Sequence, residues 1–279
     1  MAAEVQAWTS SNFFPPPATN VVSIRSDEEL GVAYRLWGLN SISAVTGPSL
    51  NARIHDHILI AAKAIVQGGI IVAVSNHRCV FLADADNKEV LDKLRGCSKG
   101  RAVGVDEDAV TIVCAPEWLS EHVDLEEIKK RFGYANLLRF SQDVMSSGTD
   151  VLGLVLPADV DSGAPAHLLH NGSIRSVWKE YQPIRDLSTY VRYFGRRSIM
   201  AVSASAVGID ALADISSLIE KLKGIVTWVL DDPFNQLTYS EATFVDFTRE
   251  KPEILEGTGG VTPQCDLLSH LSRWGLKDA

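Results

Sequence analysis

Cysteine is scarce in this sequence. Its four residues, Cys79, Cys97, Cys114 and Cys265, are scattered and form no C-x-x-C pair. That removes the usual grounds for a structural zinc or a disulfide framework and fits a reducing compartment. Long apolar runs are missing too, with no stretch of eighteen apolar residues, so no membrane-spanning helix is expected. Positive charge is in deficit: 26 Lys and Arg face 35 Asp and Glu, for a net charge of −9. Nucleic-acid binders carry a basic footprint, so RNA or DNA is disfavoured as the main partner, although a local basic pocket remains compatible with the total. The opening MAAEVQAWTSSNFFPPP lacks the basic start and apolar core of a secretory signal, and a cytoplasmic protein is expected. No Gly-x-Ser-x-Gly, P-loop or Ser-His-Asp pattern occurs.

What is present is enough for a sizeable core. The 279 residues, 46% hydrophobic and 22% charged, suit one large domain or one domain with an extension. Residues 1–50 read as an N-terminal arm, Pro-rich at Pro15-Pro16-Pro17, and include a short helical pattern, DEELGVAYRLWGL. From Asp56 onward helices and strands alternate. DHILIAAKAIVQGG has Ile58, Ala61, Ala62 and Ile65 at helical spacing and Gly68-Gly69 as a stop. IIVAVS and RCVFLAD read as buried strands. NKEVLDKLRG is a helix with Asp86 or Asn87 as N-cap and Gly96 as terminator. AVTIVCA, VLGLVLP, SIRSVW, SIMAVSAS and IVTWVLDD are further strands. DLEEIKKRFG, DLSTYVRYFG and DISSLIEKLKG are helices closed by glycine. SEATFVDFT and PEILEG form a closing antiparallel pair, and TPQCDLLSHLSRWG is a helix docking through Leu267, Leu268, Leu271 and Trp274. The expected organisation is an arm (1–50), an α/β domain (51–262) and a docking helix (263–279), built on a mixed sheet with flanking helices.

One stretch bears on chemistry. MAVSASAVG, Met200 to Gly208, runs from a strand through small residues toward a helix. Such a turn exposes backbone N–H groups to an anion, and it is equally an ordinary strand-to-helix connection. The order of pieces around it resembles the YrdC/Sua5 family, the threonylcarbamoyl-AMP synthases, over roughly residues 55 to 261. AAKAIVQGGIIVAVSNHRCVFLADADNKEVLDKLRGCSKGR resembles the family's opening helix, hairpin, second helix and Lys-x-Arg turn. SIRSVWKEYQPIRDLSTYVRYFGRRSIMAVSASAVG resembles its second signature, an Arg-bearing strand leading to a Ser-Ala-Asn-x-Ser-Gly turn. The resemblance implies a twisted mixed sheet with a concave central pocket that takes ATP, bicarbonate and threonine with Mg²⁺, for tRNA modification.

Position by position, the resemblance carries over incompletely. The family's Pro-Thr falls on Val74-Ser75, which keeps the hydroxyl that would touch an amino-acid substrate. The acidic residue two places on is His77, whose ordinary pKa near neutrality suits a general acid or base and suits a surface hairpin tip as well. Lys-x-Arg is kept as Lys99-Gly100-Arg101, and the strand Arg as Arg175. The second Lys is gone, replaced by AVGVDEDAV with Asp106, Glu107 and Asp108, read as a solvated acidic loop. The Pro-Gly-Pro-x-Thr loop is reduced to Gly148 and Thr149. The turn itself reads Ser203-Ala204-Ser205-Ala206-Val207-Gly208, without its Asn and second Ser, and Glu256 stands where an Arg is usual.

A triphosphate needs fixed cations and donors. Losing one cation and adding carboxylates puts roughly a hundredfold in affinity at stake. Parallel losses at several motifs point to a changed, less anionic ligand on a kept scaffold. The expected catalytic groups are His77, Arg101 and Arg175. The expected substrate contacts are Ser75, Lys99, Thr149, Ser203, Ser205 and Val207. No metal site is expected, because His55/His57 and His167/His170 have no third ligand nearby. Bland roles stand beside these: Lys99 and Arg101 as surface charge after a helix, Arg175 on a solvated strand face opposite Ile174 and Val177, and Ser203 and Ser205 as local backbone partners.

Three readings stay open. One is a cofactor-independent isomerase or cyclase of secondary metabolism acting on a small molecule. The second is the ATP- and Mg²⁺-dependent synthase. The third is a non-catalytic binding or assembly protein, with a homo-oligomer allowed.

Overall fold

The computed structural model describes residues 20–23, 58–74, 79–97, 105–114, 116–146, 151–159, 161, 163–179, 182–209, 222, 224–231, 242–255 and 264–276. Their strands are β1 (Asn20–Ser23), β2 (Ile71–Val74), β3 (Cys79–Asp84), β4 (Val110–Val113), β5 (Leu152–Pro157), β6 (Leu169–His170), β7 (Ser173–Trp178), β8 (Ile199–Ser203), β9 (Trp228–Asp231), β10 (Phe244–Asp246) and β11 (Glu253–Ile254). The described helices are α1 (58–66), α2 (Lys88–Cys97), α3 (Val105–Asp108), α4 (Leu125–Arg131), α5 (Tyr134–Ser146), α6 (Gln182–Tyr193) and α7 (Gln264–Arg273). The sheet order is β1-β9-β2-β3-β8-β4-β7-β5-β10-β11, with β6 attached to β7. Parallel and antiparallel neighbours mix within it.

Both faces are covered, which explains why the strands read as continuous apolar runs. Alternate residues separate cleanly. Ile71, Ala73, Val80, Leu82, Ile199 and Ala201 face α1 and α6 in one cluster. Val72, Phe81, Ala83, Met200 and Val202 face α2 in a second. Leu152, Leu154, Leu156, Ile174 and Trp178 face α5 and α7 in a third, on the same side of the sheet as the second. Where a buried polar pair interrupts that side, it is satisfied internally: the Thr111 and Ser176 hydroxyls lie 2.8 Å apart.

Local signals work as expected at several points. Asn87 Oδ1 accepts the Glu89 N–H at 3.1 Å, and Asp124 Oδ1 accepts that of Glu127 at 2.9 Å. Gly133, at φ 75°, follows α4. Gly96 does not terminate α2, because the helix runs on through Cys97. The acidic stretch expected as a loop is the helical turn α3. Helix α5 went unread in the sequence although its buried Leu137, Phe140, Ser141 and Val144 carry helical spacing. The docking helix α7 buries Leu267 and Leu271, but Leu268 is turned outward. Asp143 of α5 anchors it, accepting from His270 Nδ1 at 2.7 Å, from Arg273 at 3.0 Å and from Trp274 Nε1 at 3.1 Å. Within the expected arm, β1 pairs in parallel with β9 at the sheet edge. The helices expected at 27–39 and over most of 214–224 lie outside the described residues.

Two of the described glycines, Gly69 and Gly153, leave no room for a side chain, Gly69 because a Cβ would come within 2.8 Å of the Ala64 carbonyl oxygen. A Cβ on Gly153 would come within 2.6 Å of the Phe244 ring, which lies across it. Gly153→Ala is therefore expected to lower stability by about 1–3 kcal/mol. Thermal and urea unfolding of the variant measure this, and an unchanged midpoint would disprove the close seat.

Candidate functional site

The turn after β8 is built from two constraints. β8 lies between β3 and β4, antiparallel to both, with Val80 opposite Ser203 and Val110 opposite Ala201. The chain then turns through Ala204–Gly208, closing on Gly208 at φ 75°, a conformation glycine adopts at little cost. A working anion cradle needs backbone N–H groups free to point at the ligand. Six of the seven amides from Ser203 to Ile209 donate within the chain. Ser203 N–H donates to the Asp108 carboxylate at 2.5 Å. Ala204 N–H donates to the Cys79 carbonyl, those of Val207 and Ile209 to the Ala204 carbonyl, and that of Gly208 to the Ser205 carbonyl. Ala206 N–H reaches Ser203 Oγ at 3.4 Å. The Ser203 and Ser205 hydroxyls lie 3.0 Å apart, with Ser205 exposed. Val207 is 1% exposed and packs among Met200, Val202 and Ile209. Its side chain belongs to the second apolar cluster.

Arg175 sits on the same face of the sheet as Ser203. By register it lies level with Val110 and Ala201, two strands from β8 and two residues short of Ser203. Two strand spacings and that offset put the two Cα atoms about 12 Å apart. Val177 shares this face with Arg175, while Ile174 points to the other. The expected grouping of Ile174 with Val177 ignored the two-residue period of a strand. The guanidinium stacks 4.1 Å above the Phe244 ring, opposite Val155 across the β5–β7 pair. Stacking of this kind fixes an arginine plane without consuming its charge. Ser75, His77, Lys99, Arg101 and Thr149 lie outside the described residues, as do the side chains of Asp106 and Glu107. Two groups near this face escaped the sequence reading. Asp108 was read only as part of a solvated run. Lys179, one step past β7, is 1% exposed and engages a partner of its own; its position after SIRSVW is the one signal that was available.

Burial pushes the Cys79 thiol up to about 12, which disfavours the nucleophilic thiolate. A second polar cluster lies at the other end of β3 and β8. Arg196 Nε meets the buried Asp84 at 3.2 Å, Arg197 grips Asp86 through two nitrogens, and Arg192 forks onto Glu121. Burial raises the Asp84 carboxyl above its ordinary value, opposed by the Asp86 N–H and by Arg196. His122, 4% exposed, has its Nε2 2.9 Å from Ser198 Oγ, and burial holds its pKa below the ordinary value, with Glu121 opposing and Arg197 adding. No cluster of metal-ligating side chains occurs among the described residues, and none of their helices is long and apolar enough to cross a membrane. A surface hollow along α4 is lined by Asp124, Glu126, Glu127, Lys129, Lys130 and Arg131, and it includes none of the expected site residues.

No family model and no curated protein matches the chain. Solved structures do. A doubly substituted Sua5 from P. abyssi superposes with a TM-score of 0.58 at 16% identity, over 90% of this chain and 63% of that one. P. abyssi Sua5 complexed with L-threonine gives 0.52 at 16% identity, over 78% and 58%. E. coli YciO gives 0.51 at 14% identity, over 72% and 88%. The chain thus has a YrdC/Sua5-like fold and spans less than two thirds of the length of the Sua5 structures it matches.

The far cluster makes stability pH-dependent. Folding holds His122 neutral to a lower pH than in the unfolded chain, and His167 shifts the same way through burial. As pH falls below about 6.5 the unfolded chain takes up protons first, so stability declines, then levels once the folded histidines protonate. Within that window each histidine contributes a slope of at most about 1.4 kcal/mol per pH unit. Urea midpoints measured from pH 7.5 to 5 should show the decline, and His122→Gln should make it shallower while leaving the share of His167.

Proposed function

We propose that this chain is a repurposed YrdC-like enzyme. It binds a small organic metabolite in the pocket that the YrdC/Sua5 resemblance implies for ATP, and promotes a cofactor-independent rearrangement, isomerisation or cyclisation, pericyclic closure included, in secondary metabolism. The observation that carries this reading is the state of the Ser203–Gly208 turn. All of its amides but that of Ser205 are committed within the chain, and one of them already holds a carboxylate. A phosphate arriving there would have to displace these bonds and meet a like charge, which disfavours a polyanion.

Such a reaction needs shape and few polar groups. Holding a substrate in its reactive conformer removes an entropic barrier, and one fixed donor that strengthens as charge develops lowers it further. Arg175, seated on Phe244, supplies a positioned cation for a carbonyl or enolate oxygen. Ser203 and Ser205 supply hydroxyls that donate or accept. His77 and Arg101 remain assigned as further catalytic groups, with Ser75, Lys99 and Thr149 as substrate contacts. Retention of Lys99, Arg101 and Arg175 is what favours the second reading, an ATP- and Mg²⁺-dependent threonylcarbamoyl-AMP synthase.

Calorimetric titration with ATP–Mg²⁺, with and without threonine, decides between them. No binding below millimolar concentration is expected, together with an apolar metabolite detectable by mass spectrometry of the purified protein. Micromolar binding with pyrophosphate release would establish the synthase. Arg175→Ala is expected to weaken binding of the co-purifying metabolite about ten- to a hundredfold, the worth of a charge-assisted hydrogen bond.

A further inference from the structure

We infer that Asp108 sets the charge class of the ligand at the Ser203–Gly208 turn: it excludes phosphate and selects a group that donates hydrogen bonds, an ammonium or a hydroxyl. The inference rests on the small-molecule reading above and deepens it.

The carboxylate is held firmly in place. Asp108 ends α3, whose Val105 is buried and whose Val105 carbonyl accepts the Ala109 N–H at 3.0 Å. Two residues later Val110 is locked opposite Ala201 in the ladder with β8. The side chain therefore meets the Ser203 amide from a fixed backbone. Its Oδ2 takes the position that an anionic ligand oxygen would occupy on that N–H. A carboxylate offers about four acceptor directions. Among the described residues only the one toward Ser203 N–H is used, and Asp108 itself is half-buried. The residue it holds, Ser203, carries a hydroxyl that lies 3.0 Å from that of Ser205. A negative corner with two adaptable hydroxyls repels a second anion and attracts a donor.

The test uses amide spectra of the full-length protein, following Ser203 and Ser205, with benzylamine, benzoate and inorganic pyrophosphate as probes. The wild type should respond to benzylamine and not to the two anions. Asp108→Asn keeps an oxygen for the Ser203 N–H and removes the charge. It should lose at least tenfold in benzylamine affinity and respond to millimolar pyrophosphate. Asp108→Ser gives the same readout if the Asn variant does not fold. A wild-type response to pyrophosphate at Ser203, or variants with the wild-type preference, would overturn the assignment. ATP–Mg²⁺ binding by the wild type overturns the proposed function instead. A wild type that binds no nucleotide while the Asp108 variants keep its preference removes only the role given to Asp108.

Discussion

The pairing of β8 with β3 on one side and β4 on the other is the constraint from which the rest follows. Ile199 to Val202 are at most 1% exposed, so this strand is anchored on both faces and along both edges. It joins the β2–β3 hairpin half of the sheet to the half containing β7, β5 and β10. A strand held this tightly delivers its end, Ser203, to one position. It also delivers the start of β4, and with it Asp108, to the same place. The contact between that carboxylate and the Ser203 amide is a consequence of sheet register, not of a flexible surface loop.

The two faces of the sheet do different work. The side carrying the second and third apolar clusters is closed by α2, α5 and α7, and its few polar groups pair among themselves. The side carrying Ser203 and Arg175, packed by α1 and α6, combines an apolar cluster with a cation fixed over an aromatic ring, and that ring is seated on a residue that has to be glycine. Mostly apolar walls with a few oriented polar groups are what small-molecule sites use. The arginine–carboxylate cluster at the other end of β3 and β8 is a different arrangement. Its charges are paired off across Glu121, Arg192, Arg196, Arg197, Asp84 and Asp86, and it ties separate segments together.

Much of this was legible in the sequence. Strand runs such as CVFLAD and IMAVS declare burial on both faces because both alternate sets are apolar. Asn87 and Gly133 mark helix ends because a side-chain oxygen, or the absence of a Cβ, meets a local backbone need. The resemblance to YrdC/Sua5 rested on the order of elements, and solved structures at 14–16% identity bear out that fold. Helix α5 was readable too, since its apolar spacing is regular. Gly96 misled, because a glycine ends a helix only where the backbone takes a left-handed turn.

The site was less legible, for a physical reason. Local pattern showed a turn of small residues with two serines and an acidic stretch, Asp106 to Asp108, elsewhere in the chain. Neither could say that one of those acids bonds the turn, since Asp108 and Ser203 are far apart in the chain and meet only through the β4–β8 register. Likewise Val207 looked available and is core, and Arg175 looked like a strand-face cation and is stacked on Phe244 from another strand. Sequence by itself determined most of the elements that form and the donors the turn carries. Tertiary structure alone decided which groups meet them, because hydrogen bonds between distant strands depend on register and facing, and neither is written in the local chain.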